Sequence, residues 1–171
     1  MKRFAWLLIC LMGVLMVSAC SADASTGNDW ILPYSVVTPG VTNPDVTPMN
    51  IQQTICKRGW TRTIRPSLSY IWKLKTKQLK GDYRAFAKIF GTNTKDYWED
   101  HLIPLSLGGH PSDPRNLWPQ PTAGNNAHRK NEVGAIVYGM VCAGKMPLYV
   151  AQKLFMFPNG WVAVYDKYAR G

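Results

Sequence analysis

The chain has 171 residues, of which 46% are hydrophobic and 18% are charged, and its formal net charge is +10. The hydrophobic content excludes a disordered polyelectrolyte, and the presence of only one long apolar run excludes a multi-pass membrane protein. The length fits one compact domain. A chain this basic is expected to attract polyanions such as nucleic acids or anionic envelope surfaces.

Residues 1–19 are predicted to be a lipoprotein signal peptide. Lys2 and Arg3 precede an apolar run over 4–17, which is short for a membrane span but fits a signal sequence. The next residues, ending at Cys20, read Val-Ser-Ala-Cys and resemble a bacterial lipobox, which implies lipidation of Cys20. The alternative is an ordinary signal peptide with a chance cysteine. We expect an exported protein anchored by lipid in the cell envelope, at the periplasmic face, the outer membrane or a Gram-positive surface.

Two cysteines then remain for the folded part, Cys56 and Cys142. An oxidising compartment permits them to form a disulfide, and we predict that they pair. Closing so long a loop would stabilise the fold by about 4–5 kcal/mol on the chain-entropy model. Two buried free thiols are the alternative.

The predicted elements follow in chain order. Residues 20–50 hold the lipidated Cys20 and a flexible tether, because Pro, Ser, Thr, Gly and Asn interrupt any apolar periodicity; the last part of the tether can lie on the domain surface. The folded domain is predicted over 51–171.

Within this domain, apolar periodicity and Gly or Pro stops predict the elements. The first half is predicted to hold helices over 67–80 and 83–90 and a strand over 97–103. A loop over 104–116 leads to a second strand at 117–118, which Pro119 and Pro121 stop. A helix from 125 or 126 to 142 follows, then a helix from 147 that breaks at 158–160, and a last turn or two over 161–168. Helices around one strand–loop–strand unit predict an α+β fold with little sheet.

The candidate chemistry is concentrated between residues 100 and 130, where all three histidines lie. Asp100-His101-Leu-Ile-Pro leads through Gly108-Gly109 to Asn116-Leu-Trp-Pro, and then to Asn-Ala-His-Arg-Lys over 126–130. This order resembles the HNH endonucleases, over about residues 97–141. The strings around Cys56, Trp60 and Cys142 are similar to those of small exported bacterial proteins that carry this core. The resemblance implies a small ββα-metal (His-Me finger) core flanked by helices.

The resemblance also implies roles for individual residues. Asp100 would bind one divalent metal ion, with Mg²⁺ favoured and Mn²⁺, Ni²⁺, Zn²⁺ and Ca²⁺ as alternatives. His101 would be the general base, since neighbouring strand residues face opposite sides and imidazole titrates near neutral pH. Asn116 would brace the loop and help to orient His101, with an ordinary turn residue as the alternative.

The helix after the loop is expected to supply the second metal ligand. Either Asn126 or His128 fits this position, and His128 is narrowly favoured. Arg129 and Lys130 are expected to contact phosphates of the nucleic acid. Glu99 is expected to brace the strand or face solvent, with an extra carboxylate near the metal as the alternative.

The expected function is therefore a metal-dependent endonuclease of low sequence specificity that cuts DNA, with RNA as an alternative substrate, outside the cytoplasm. Two residues depart from the pattern of the exported group: Asn131 stands where Asp is expected, and Gly134 where Glu is expected. They motivate the alternative function, a catalytically inactive HNH-fold lipoprotein that binds nucleic acid or envelope polyanions.

Overall fold

A computed structural model describes residues 30–157 and 159–168. The predicted signal peptide, the lipidation site Cys20 and the first part of the predicted tether lie outside these residues. Within the described part, helices surround one two-stranded antiparallel sheet, which confirms the α+β class.

The described residues form six α-helices. Their bounds are α1 Trp60–Thr63, α2 Leu68–Lys80, α3 Arg84–Phe90, α4 Asn126–Cys142, α5 Leu148–Met156 and α6 Gly160–Tyr168. The Ser67 hydroxyl caps α2 by accepting a hydrogen bond from the Tyr70 amide at 3.2 Å. In the part of the chain that the structure covers, no helix has the length and apolarity to cross a bilayer.

The sheet consists of β1, Tyr97–His101, and β2, Leu117–Pro121, with His101 opposite Leu117. The second strand, predicted at 117–118 and stopped by Pro119 and Pro121, is longer than expected, because β2 continues through Pro119 and ends at Pro121. The Leu117 carbonyl accepts hydrogen bonds from the side chains of Gln78 and Thr38, so it points away from β1. Because backbone orientation alternates along a strand, residues 119 and 121 point the same way, and their missing N–H groups are not needed between the strands.

Two hydrophobic cores flank this hairpin. One joins α2 and α3 to the sheet through buried aromatic side chains, namely Tyr83, Phe86, Tyr97 and Trp118. The other joins α4, α5 and α6 to the segment after β1 through residues that include Ile103, Val137, Phe155 and Trp161. The hairpin is thus held between packed helices on both sides, which fixes the position of β1.

Residues 30–50, the end of the predicted tether, pack against the domain. Thr38 and Val46 are buried, and the Tyr34 ring stacks on Tyr83 with 4.9 Å between ring centroids. Thr42 also forms a β-bridge with Gly109. These residues contact residues that are distant in the sequence. Local hydrophobic periodicity therefore does not predict that they are buried.

Cys56 and Cys142 form a disulfide, as predicted. The bond joins the segment before α1 to the last residue of α4, across a sequence separation of 86 residues. It therefore ties the N-terminal half of the domain to the helix that packs against the hairpin.

Candidate active-site cleft

A cleft of about 420 Å³ opens beside β1. It is lined by α1 and the residues after it, by β1, by the segment after β1 and by α4. The polar lining residues are Thr61, Arg65, Glu99, Asp100, His101, Ser106, Lys130 and Asn131. The cleft thus brings together Asp100 and His101, the first two residues of the motif.

The Asp100 carboxylate is held by two donors at one oxygen. The Lys130 ammonium lies 2.7 Å from Oδ2, and the indole Nε1 of Trp118, the cross-strand neighbour, lies 3.0 Å from the same atom. Lys130 is only 1% exposed and also donates to the His101 carbonyl at 2.7 Å. Among the described residues, Oδ1 of Asp100 has no hydrogen-bond partner.

His101 is held by a backbone carbonyl. Its Nε2 lies 2.8 Å from the Pro111 oxygen. A carbonyl oxygen only accepts hydrogen bonds, so the neutral ring carries its proton on Nε2 and keeps the lone pair on Nδ1. Burial lowers the pKa of His101 below its ordinary value, against the opposing effect of the Pro111 hydrogen bond. The imidazole is therefore neutral at neutral pH and able to accept a proton.

Asn116 is fully buried and braces the loop between the strands. Its side chain accepts from the Ile103 amide at 3.0 Å and donates to the carbonyls of Ile103 and His110, at 3.2 and 3.0 Å. The His110 carbonyl immediately precedes Pro111, whose own carbonyl oxygen holds the His101 ring. The hydrogen bonds thus agree with the expected bracing role and link Asn116 to the position of His101.

The Gly-Gly pair allows this loop to close tightly. Gly108 has φ +72°, a conformation that side chains disfavour. A Cβ atom on Gly109 would lie 1.8 Å from the Ile103 carbonyl oxygen, so any side chain there would displace the backbone. Glycine at 109 therefore permits the close approach of chain segments that Asn116 bridges.

Asn126 and His128 do not line the cleft. Asn126 is buried, and its side chain accepts from the Ile31 amide at 3.2 Å and donates to the Ala123 carbonyl at 3.4 Å. His128 is exposed, and its ring packs edge-on against Trp98. The expectation that one of them meets Asp100 at a metal thus differs from the structure, in which α4 presents Lys130 and Asn131 to the cleft.

The two residues predicted to contact phosphates, Arg129 and Lys130, both lie against other groups of the domain. Lys130 is buried against Asp100, and the Arg129 guanidinium lies 5.0 Å from the Trp30 ring centroid and 5.8 Å from that of Tyr165. Both cations are thus engaged within the domain. A helix turns about 100° per residue, so residues 127, 130, 131 and 134 share the face toward the hairpin. This helical periodicity is the sequence signal that indicates Lys130 and Asn131 as the residues of α4 that face the cleft.

Glu99 is the unexpected member of the cleft. Both of its carboxylate oxygens are shielded from solvent and have no hydrogen-bond partner among the described residues. Burial raises the pKa of Glu99 to about 9; the charge of Asp100 adds to this effect and that of Lys75 opposes it. The sequence signal was alternation, since Glu99 shares a strand face with the buried Tyr97.

Replacing Glu99 by glutamine is expected to stabilise the metal-free protein increasingly as the pH rises. The folded-state pKa lies above the unfolded value, so the contribution of Glu99 to the free energy of unfolding is most favourable below the unfolded pKa of about 4.5 and is lost as the pH rises toward 9. Urea unfolding in EDTA between pH 4.5 and 9 would measure this. Glu132→Gln, at an exposed position of α4, controls for the lost charge; equal pH profiles for the Glu99 variant and wild type would contradict the prediction.

Within residues 30–157 and 159–168, no group of three or more His, Cys, Asp or Glu side chains is arranged to hold a metal ion. In comparisons with known proteins, no family model matches the chain, and no curated protein or solved structure is significantly similar to it.

Proposed function

We propose that the protein is a metal-dependent endonuclease that hydrolyses phosphodiester bonds of DNA, and of RNA as a second substrate, with low sequence specificity. One observation carries the proposal. Asp100 and a buried His101, whose Nε2 is held by a carbonyl, line the same cleft of about 420 Å³. Hydrolysis of a phosphodiester needs a base for water and charge neutralisation at the phosphate; His101 suits the first requirement, and Asp100 could hold the cation that would meet the second.

His101 would act as the general base. Its Nδ1 holds the lone pair and would accept the proton of the attacking water. The lowered pKa keeps the ring neutral at neutral pH. Asn116 would act through the loop, because it holds the segment whose Pro111 carbonyl orients the imidazole.

Oxygen-bearing side chains in the cleft would suit a hard divalent cation such as Mg²⁺. Oδ1 of Asp100 and the shielded carboxylate of Glu99 are oxygen donors, and the buried Glu99 oxygens have no partner among the described residues to satisfy them. Asn131 adds an amide oxygen from α4. Mg²⁺ commonly binds through one or two carboxylates, with water and substrate phosphate completing its shell. When bound, the cation would neutralise the charge that develops on the phosphate and the leaving oxygen.

We further propose that the enzyme works outside the cytoplasm, with Cys20 lipidated and inserted in a membrane of the cell envelope. The basic n-region, the apolar run over 4–17 and the lipobox-like residues support export. The Cys56–Cys142 disulfide is consistent with an oxidising compartment.

The direct test is plasmid cleavage by protein of residues 21–171 with the disulfide oxidised. Supercoiled plasmid would be incubated with Mg²⁺, Mn²⁺, Ni²⁺, Zn²⁺ or Ca²⁺, and with EDTA. We expect nicked or linear plasmid with at least one metal and intact plasmid in EDTA. Intact plasmid in every lane, from protein shown by circular dichroism to be folded, would contradict the proposed activity.

One observation favours a second candidate function, a non-catalytic lipoprotein that binds nucleic acid or envelope polyanions. The Lys130 ammonium, which is buried, already neutralises Asp100 at 2.7 Å. Lys130 could thus replace the metal as a structural cation. DNA retention that persists in EDTA, together with no cleavage under any metal, would favour this function over the nuclease.

A further inference from the structure

The positive charge of the chain is concentrated in one segment. Between Val46 and Gly81 there is no Asp or Glu, while the segment contains Lys57, Arg58, Arg62, Arg65, Lys73, Lys75, Lys77 and Lys80. This segment precedes the region that resembles the nucleases. Its charge is therefore separate from Arg129 and Lys130, which are engaged inside the domain.

The same segment forms a wall of the cleft. Thr61 of α1 and Arg65, just after α1, line the cleft together with Asp100 and His101. Arg58, Arg62 and Arg65 are all exposed. Among the described residues, the Arg65 guanidinium has no ion-pair partner, although its charge acts on His101. An exposed guanidinium beside a general base is suited to a planar, bidentate contact with phosphate.

We infer that this wall, defined here as residues 58–65, is the side of the cleft that binds the nucleic-acid backbone. Arg65 holds a phosphate at the cleft, and Arg58 and Arg62 contact further phosphates along the strand. The inference rests on the proposed function and assigns it a substrate path outside the nuclease-like region.

The test measures binding separately from cleavage. A fluorescent DNA duplex would be titrated with Arg65→Gln, with the triple variant Arg58→Gln/Arg62→Gln/Arg65→Gln and with wild type, in EDTA at several NaCl concentrations. Removing one phosphate-binding arginine should reduce the slope of log K against log salt by about 0.9, and the triple variant should show about three times this reduction. Arg84→Gln, at an exposed position outside the cleft lining, is the matched control.

Cleavage of plasmid is expected to fall in the same order as the binding affinity, and Arg65→Lys should recover part of both. One outcome would overturn the inference but not the proposed nuclease activity. In it, wild type cleaves plasmid, while Arg65→Gln and the triple variant bind DNA with the same salt slope as Arg84→Gln. Wild type that neither binds nor cleaves DNA would overturn both. Weaker cleavage by Arg65→Gln with unchanged binding would also overturn the assignment of Arg65 to backbone binding.

Discussion

Replacing His101 by alanine is expected to lower metal-dependent plasmid cleavage by about 10²–10⁴-fold, the usual contribution of a general base. The expected decrease follows from the buried ring, whose Nε2 is held by the Pro111 carbonyl and whose Nδ1 keeps its lone pair. Initial rates at saturating metal would measure it. DNA binding in EDTA should change little, because the variant removes no positive charge.

The pH dependence supplies an independent check on His101. A base must be neutral to accept a proton, and burial lowers the pKa of this imidazole. Wild-type activity should therefore fall on acidification only below the ordinary histidine range near pH 6.5. His128→Ala is the matched control, since His128 is exposed against Trp98 and outside the cleft lining. Full activity of the His101 variant, or an equal decrease in the His128 variant, would contradict the assignment.

Replacing Lys130 by methionine is expected to reduce the free energy of unfolding by about 3–5 kcal/mol, because it leaves the Asp100 carboxylate, which is only 13% exposed, without its cation. The pair is short, at 2.7 Å, and Lys130 is 1% exposed. Trp118 would remain as the donor to Asp100. Urea unfolding at neutral pH, in EDTA, would measure the change.

A double-mutant cycle separates the ion pair from the packing of the Lys130 stem. Asp100→Asn combined with Lys130→Met should cost less than the sum of the single changes, because it leaves no unpaired charge. Lys153→Met, on the exposed face of α5, controls for an added apolar side chain. A decrease below about 1 kcal/mol for the Lys130 variant would indicate that the pair behaves like a surface ion pair.

The sequence predicts the structure well where local chemistry decides it. Ser67 and Gly81 marked the ends of α2 to within one residue. The turn-rich loop after Pro104 correctly separated two strands. Beyond the predicted signal peptide and lipidation site the chain has only two cysteines, Cys56 and Cys142, and they form the disulfide. In each case a cap, a turn or a limited set of partners left few alternatives.

The remaining features depend on contacts between distant segments. Pro119 is predicted to stop the strand, but in this two-stranded sheet it points away from the partner strand. Its missing N–H therefore costs no hydrogen bond between the strands. The sequence around Tyr34 shows no apolar periodicity, yet its ring stacks on Tyr83, which is distant in the chain. The sequence suggests Lys130 as a phosphate contact. In the structure, its helix face brings it to Asp100, with which it forms an ion pair.

The disulfide has a topological consequence for the site. The residues that line the cleft, from Thr61 to Asn131, all lie between Cys56 and Cys142 in the chain. In the oxidised protein they therefore belong to a covalently closed ring, from which the rest of the chain extends as two arms. A protease that cuts the ring once leaves both new ends attached, and only a second cut within the ring can release any part of the cleft.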